Sequence, residues 1–336
     1  MKAVGKIRFG IVGAGAIAQA YARAFQACDS AEVVAVADVR EDSARALAET
    51  LGCRSFASYQ DLAERSDPEA VLICTPPVSH PEICLHFIGR KVPVLCEKPF
   101  AVNVTDTIHV LEAARKDGVT ITMASKFRFV PDVVEAKRIV DSGALGDIVL
   151  FENAFAARVD MSNRWNSDPT ISGGGVLIDN GTHSLDLARY FLGPLAEVLA
   201  IEGARRPGLD VEDTVSVFVR SKKGVIGTID LSWTINKELD RYISIFGTRG
   251  AVLVGWKQSR YHQMQSADWT AFGSGYDKIG AFRAQLTNFA RAIKGEEALL
   301  VGPDDILGSA KVIEAAYESL RRSHWTSVNE DRLACM

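Results

Sequence analysis

The first 125 residues alternate continuous apolar runs with longer segments of helical periodicity, and few folds accept that rhythm. The apolar runs are "IRFGIV", "EVVAVAD", "AVLICT", "VPVLCE" and "VTITMAS", with helical patterns over residues 16–27, 41–51, 79–89 and 105–116 between them. Strands that are apolar at nearly every position require cover on both faces, whereas a half-wet strand alternates. The rhythm therefore predicts a doubly wound α/β domain with a parallel sheet, ending near Ser125.

Beyond Ser125 the rhythm changes. A helix is expected around residues 133–142, then a glycine-rich stretch with its own helix. The runs "AEVLAIEG", "DTVSVFVRS", "GVIGTIDLSW", "RYISIFGT" and "GAVLVGW" follow with no helix between them. Successive strands without crossover helices predict an antiparallel or mixed sheet. "LTNFARAIKG" and "ILGSAKVIEAAYESLRR" read as amphipathic helices. The expected division is residues 1–125 and 126–336, and 336 residues suit two domains.

With 47% hydrophobic and 24% charged residues, each domain can bury a core of its own. A net charge of -4 and a pI near 5.9 give no pull towards nucleic acid or acidic membranes, so neither is an expected partner. No apolar run is long enough to span a bilayer, and the polar start of the chain is unlike a signal peptide. The six cysteines (Cys28, Cys53, Cys74, Cys84, Cys96 and Cys335) form no Cys-x-x-Cys pair and read as reduced thiols of a cytosolic protein.

"GIVGAGAIAQAYARAF" sets Gly13, Gly15 and Ala18 in a G-x-G-x-x-A pattern after a strand and at a helix start. Gly13 permits a tight turn, Gly15 lets a pyrophosphate approach the backbone, and Ala18 allows close helix packing. Ala16 and Ile17 open the helix, whose N-terminus favours the anion. Asp38 ends the second strand twenty residues after Ala18, where an acid accepts hydrogen bonds from the adenosine ribose. That acid repels a 2'-phosphate and favours NAD; Arg40, two residues on, keeps NADP open.

Two further stretches end inner strands, where doubly wound sheets bind ligands. In "CTPPVSH", which carries Cys74 and Thr75, Pro76 and Pro77 stop the strand and shape a rigid turn, and His80 is either a cofactor-side group or a surface or capping residue at a helix start. In "VPVLCEKPFAVN", Glu97 and Lys98 precede Pro99, and Lys98 points at the same crevice unless it is an ordinary solvated lysine.

"GGGVLIDNGTHSLD", residues 173–186, holds Asp179 and His183 four residues apart, so a helix from about Asn180 would set them on one face. Asp179 as a helix cap, the pair as a metal site and the pair as half of a catalytic site are the three readings. A metal needs a third ligand, and His86, His109, His262 and His324 form no matching cluster, so no metal is expected. The glycines suit a loop that approaches a polar ligand closely or moves to admit it.

Taken together, "GIVGAGAIA", "CTPPVSH", "CEKPFAVN", "FRFVPD", "SGALGDI", "SGGGVLIDNGTHSLDLARYFLG", "IFGTRGAV" and "VIEAAYESLRR" run over nearly the whole chain. In this order they resemble the glucose-fructose oxidoreductase, inositol dehydrogenase and MocA-type oxidoreductases. The resemblance implies an N-terminal Rossmann domain and a C-terminal domain with an open, mostly antiparallel sheet and flanking helices, which often builds the oligomer. A homodimer or homotetramer is therefore expected. It implies that Lys98 is the catalytic lysine, that Asp179 and His183 are the family's Asp-x-x-x-His pair, and that the Lys98–Pro99 bond is cis. The expected cofactor side comprises Gly13, Gly15, Ala16, Ile17, Asp38 and Arg40, then Cys74, Thr75, Pro76 and His80, and finally Glu97, Lys98 and Arg128. Two positions depart from the pattern: Lys126 stands where many members carry Asn, and Asn180 where others often have an apolar residue.

The chemistry so implied is NAD(P)-dependent oxidation of a secondary hydroxyl on a sugar, cyclitol or sugar derivative, in a site divided over both domains. His183 would be the general base, since an unperturbed imidazole titrates near working pH. Lys98 would stabilise the developing alkoxide. Asp179 would either orient His183 or bind a substrate hydroxyl. Substrate contacts are expected from Lys98, Asp179 and His183, together with Arg158, Arg164, Trp165 and Asn166 of "ARVDMSNRWNSDP". The competing reading of that stretch is a surface loop with Trp165 in the core. Residues 256–277 are long and irregular enough for a second specificity loop or an interface segment. Alternatives are an NAD-dependent glycosidase of the same family and a non-catalytic nucleotide-sensing regulator, against which the presence of both Lys98 and His183 argues.

Overall fold

The computed structural model describes residues 5–161, 164–206, 208–264, 266 and 268–329, so Cys335 lies outside the described residues. It contains two compact units, residues 1–126 with 278–306, and residues 127–277 with 307–336.

The first unit begins β1 (Ile7–Val12), α1 (Ala16–Gln26), β2 (Ala31–Ala37), α2 (Glu41–Leu51), β3 (Arg54–Phe56) and α3 (Tyr59–Ser66). It continues β4 (Ala70–Ile73), α4 (His80–Gly89), β5 (Val94–Cys96), α5 (Val104–Asp117) and β6 (Ile121–Met123). The six strands are parallel, in the order β3-β2-β1-β4-β5-β6. This order reverses at β1 and β4, the switch point beside which such sheets bind ligands. Phe9, Ile11, Leu72 and Leu95 of the inner strands are fully buried, as their unbroken apolar runs require. β3 and α3 interrupt a stretch for which no element was expected, because they are short and bury only Phe56 and Leu62.

The second unit contains α6 (Pro131–Asp141), β7 (Ile148–Ala156), α7 (Pro169–Ser172), α8 (Val176–Leu192), β8 (Leu195–Glu202) and β9 (Thr214–Ser221). β10 (Ile226–Ser232), β11 (Arg241–Gly247), β12 (Gly250–Gly255), β13 (Ser259–Gln263) and β14 (Thr270–Phe272) follow. α9 (Lys278–Ile293), α10 (Pro303–Arg322) and β15 (Thr326–Ser327) complete the chain. Nine strands form one sheet in the order β14-β13-β12-β11-β7-β10-β9-β8-β15. Every pairing is antiparallel except β7 with β10, so the sheet is mixed but mostly antiparallel. β7, absent from the expected strands, lies at its centre and alternates, with Phe151, Asn153 and Phe155 buried. α8 packs against β7, β9 and β10, which explains why thirteen of its seventeen residues are buried.

The division is not the linear one expected at residue 125, because α9 belongs to the first unit. Phe282 stacks on Tyr21 with ring centroids 4.1 Å apart, and Phe289 packs on Phe9 at 6.0 Å. Beyond α9, the Thr122 hydroxyl donates to the Val301 carbonyl at 2.7 Å. The amphipathic pattern of α9 shows that it has a buried face but not which core receives it. No helix among the described residues is long and apolar enough to cross a membrane.

Candidate active site

The glycine turn joins β1 to α1. Gly13 has a φ of +94°, and a Cβ built there would lie 2.7 Å from the Cys74 carbonyl carbon and 2.9 Å from the Thr75 nitrogen. This glycine is therefore required twice over, by its left-handed φ and by contact with the turn that follows β4. Gly15 is different, since no atom lies within 4 Å of a Cβ built on it. The space above its backbone accommodates the close approach of a pyrophosphate. Ala16 and Ile17 open α1, which has no side-chain cap and no acid in its first turn, so its positive end is available to an anion.

Asp38 follows β2. Its Oδ2 accepts the Ala14 amide at 2.7 Å and its Oδ1 accepts the Arg40 amide at 2.8 Å. The carboxylate thus braces the glycine turn, and each oxygen keeps a second lone pair for a ribose hydroxyl. The Arg40 guanidinium lies 3.7 Å from the same carboxylate and is largely exposed. These residues fit NAD: an open glycine backbone, an uncapped helix start and an acid at the ribose position.

After β4, His80 is fully buried, so it is not the surface residue that one of its expected readings allowed. Its Nε2 lies 2.8 Å from the Thr75 carbonyl and its Nδ1 3.0 Å from that of Pro99. The ring therefore joins the turns after β4 and β5. Burial lowers its pKa below the ordinary value, outweighing the backbone carbonyls that favour the cation. Cys74 is buried, with its thiol pKa raised well above normal by burial first and by Glu97 second.

Glu97 and Lys98 follow β5, and the Lys98–Pro99 bond is cis. Glu97 is buried; its Oε1 accepts the Tyr21 hydroxyl at 3.0 Å and its Oε2 the Lys98 amide at 3.1 Å. Burial pushes its carboxyl pKa up, and the charges of Lys98 and Lys126 pull it back. Glu97, expected on the cofactor side, accepts the main-chain amide of Lys98 and so braces the backbone that presents it. The Tyr21 oxygen also lies 3.0 Å from Gln285 Oε1, while Gln285 Nε2 has no partner. Exchanging the amide oxygen and nitrogen of Gln285 resolves both, and Tyr21 then donates to Glu97 and accepts from Gln285. Nothing in the local sequence marks Tyr21 or Gln285 for this role.

α8 carries Asp179 and His183, one turn apart on one face. The helix begins at Val176, before the expected Asn180, which places Asp179 inside it. His183 is buried, with its ring edge-on to Phe127 at 5.0 Å. Asn180 is half-buried, and its amide reaches the Phe155 carbonyl at 3.4 Å.

The cap is supplied by Glu212, not by Asp179. Glu212 Oε1 accepts the amides of Gly175 at 2.9 Å and Leu177 at 3.1 Å, and its main-chain carbonyl accepts that of Val176 at 2.8 Å. The Tyr317 hydroxyl donates to the same Oε1 at 2.7 Å. Burial raises the carboxyl pKa of Glu212, while these donors lower it. The glycines answer to the same two residues: a Cβ on Gly174 would lie 1.9 Å from the Tyr317 hydroxyl, and one on Gly175 2.0 Å from the Glu212 carbonyl oxygen. The close approach expected towards a ligand is made here to the protein's own interior.

Arg128 is buried in the second unit, where Nε and Nη2 meet the two carboxylate oxygens of Asp186 at 2.9 and 2.6 Å. Its guanidinium also lies over the Tyr190 ring. This bidentate pair engages Nε and one terminal nitrogen of the guanidinium. Arg158 and Arg164 are exposed and Asn166 is half-buried. Trp165, 41% exposed in a short 3-10 turn over Trp165–Ser167, is not a core residue. Residues Ser162 and Asn163 of the same loop lie outside the described residues. The irregular stretch from Trp256 contains the β13–β14 hairpin, and its end is pinned by Asp132, whose Oδ2 accepts the Gly275 amide at 3.0 Å. Tyr276 stacks on Phe127 at 5.1 Å, on the ring that also meets His183.

Residues 7–125 match the GFO/IDH/MocA oxidoreductase family, NAD-binding Rossmann fold, and residues 133–253 match the GFO/IDH/MocA C-terminal domain. A myo-inositol 2-dehydrogenase of Thermotoga maritima is 28% identical over 256 residues, 73% of this chain and 74% of the relative. A trans-1,2-dihydrobenzene-1,2-diol dehydrogenase of Oryctolagus cuniculus is 32% identical over 244 residues, 71% and 73% of the two chains. The structure of a levoglucosan dehydrogenase with NADH and levoglucosan superposes with a TM-score of 0.90 at 22% identity, covering 97% of this chain and 100% of that one. At that identity the likeness concerns the fold. With both family domains matched in order, this chain belongs to the GFO/IDH/MocA family and is an NAD-dependent oxidoreductase acting on CH–OH groups.

Proposed function

We propose that this chain oxidises one secondary hydroxyl of a cyclitol or sugar, with Lys98, Asp179 and His183 as its catalytic residues. The observation that carries the reading is the placement of Asp179 and His183 one turn apart on a capped, buried helix, in a chain whose Lys98 follows an inner Rossmann strand. Oxidation removes a hydride from carbon and a proton from oxygen, leaving a ketone. NAD, when bound, supplies the hydride acceptor. The His183 imidazole takes the hydroxyl proton. The Lys98 ammonium donates a hydrogen bond to the same oxygen and stabilises the charge that develops there. Asp179 binds a neighbouring hydroxyl or holds His183, and Arg158, Arg164, Trp165 and Asn166 contribute to substrate recognition. Gly13, Gly15, Ala16, Ile17 and Asp38 hold NAD, whose adenosine ribose the Asp38 acid favours over a 2'-phosphorylated one.

The named dehydrogenase relatives make myo-inositol the first compound to test, followed by glucose 6-phosphate and levoglucosan. NADH should accumulate with at least one of them, and with NADP the reaction should be slower. NAD binding without reduction across that panel would reject the reading.

The protein is also proposed to act as a homodimer or homotetramer. Ile201, Phe218 and Ile226 share one face of β8, β9 and β10 by their register, and all three are exposed. Such a face suits a second copy of the chain. A monomeric mass by light scattering at assay concentration would reject this.

A further inference from the structure

We propose that Glu212, held by Tyr317, is a positioning residue that sets the Asp179 and His183 face through the N-terminus of α8; this rests on the reading that the face is catalytic. Gly175, the N-cap of α8, has no side chain to cap the helix, and Asp179 stands within its first turn. Helix starts leave their first amides without intrahelical acceptors. Here one residue, thirty-seven positions along the chain, takes three of them: Gly175 and Leu177 on its Oε1 and Val176 on its carbonyl.

The arrangement admits little slack. The same Oε1 receives the Tyr317 hydroxyl at 2.7 Å, so α10 helps to fix the carboxylate. The backbones of Gly175 and Glu212 approach too closely for any Cβ on the glycine, and Gly174 is equally closed by Tyr317. A carboxylate at this end also interacts favourably with the helix dipole. Asp179 lies three residues beyond Val176, and its amide bonds the Gly175 carbonyl at 3.1 Å. A shift of the capped turn is therefore transmitted to Asp179 directly and to His183 one turn later. A misplacement of about 1 Å is enough to cost about a hundredfold in rate.

Neither residue needs to touch substrate or NAD for this role. Glutamine in place of Glu212 keeps a side-chain oxygen for the Gly175 and Leu177 amides and the main-chain carbonyl for Val176. Alanine keeps only the main-chain contact to Val176.

The test uses the full-length protein as E212A, E212Q, Y317F and H183A, each checked for a cooperative thermal transition. The first readout needs no substrate: hydrogen exchange of the Val176–Asp179 amides and the imidazole resonances of His183. E212A should raise exchange in that turn by about tenfold or more and shift the His183 resonances, while E212Q restores both to near wild type. The second readout is turnover of the first panel compound that the wild type oxidises. E212A should lower kcat by about ten- to a hundredfold, with the affinity for NAD unchanged by calorimetry.

Unchanged His183 resonances and α8 exchange in E212A would overturn the proposal, as would E212Q behaving like E212A. If E212A does not fold, Y317F decides: a smaller rise in exchange over the same turn supports the clamp, and none overturns it. H183A separates the two claims. Full turnover in H183A rejects the catalytic reading of the face, whereas loss of turnover in H183A with an unaltered E212A rejects the clamp alone.

Discussion

The Glu212 carboxylate accepts the Gly175 amide at 2.9 Å, and a Cβ added to that glycine would stand 2.0 Å from the Glu212 carbonyl oxygen. Backbone meets backbone here, so neither side yields by a rotamer change. Gly175→Ala should destabilise the protein by about 1–3 kcal/mol for overpacking alone, measured by chemical denaturation. Wild-type stability would mean that the two segments are not in contact.

Gly13 and Gly15 make opposite demands. Gly13→Ala drives a Cβ into the Cys74–Thr75 backbone at a left-handed φ, so stability should fall by about 1–3 kcal/mol. Gly15→Ala meets only open space in the protein, so the thermal transition should stay near that of the wild type. Its NAD affinity should nonetheless fall by about tenfold or more, because the methyl group occupies the pyrophosphate's path. Unaltered NAD affinity in Gly15→Ala would place the cofactor elsewhere.

His80 should give the protein a pH-dependent stability. Its folded pKa is lowered by burial, so the unfolded chain binds the proton more readily. The contribution is full above about pH 6.5, the unfolded value, and is lost as the pH falls towards and through the lower folded value. Denaturation midpoints across that window should fall, and the imidazole resonances of His80 should titrate below those of a free histidine. Titration at or above the free value would contradict this.

Arg128 and Asp186 form a buried bidentate pair. Arg128→Met leaves the Asp186 carboxylate without its main cation and should cost about 3–5 kcal/mol. Arg128→Met with Asp186→Leu should recover much of that loss, since no charge is then stranded. Urea titrations of the single and double variants compare the two. A single variant as stable as the wild type would show that the pair contributes nothing.

Much of this architecture is written locally. The apolar runs of β1, β2, β4, β5 and β6 announce a buried parallel sheet, and the glycine pattern announces the turn after β1. What escaped is what depends on distant partners. β7 carries a two-residue alternation yet holds a buried Asn153, whose amide donates to the Tyr242 carbonyl eighty-nine residues away. α9 displays an apolar face, but its match to Tyr21 and Phe9 is a matter of shape between remote segments. The glycines before α8 were legible as a close approach, yet nothing nearby names Glu212 and Tyr317 as the groups approached. Nothing near Arg128 names Asp186, fifty-eight residues on, as the carboxylate that pairs with its guanidinium.

The central claim rests on Lys98 most directly, and one comparison tests it: NADH formation by Lys98→Ala and by the wild type, on the first cyclitol or sugar the wild type oxidises, with NAD binding followed by calorimetry. Loss of the group that stabilises the alkoxide should lower kcat by about a hundredfold or more while the NAD dissociation constant stays within about threefold. Turnover by Lys98→Ala at the wild-type rate would remove the lysine from the chemistry and contradict the account.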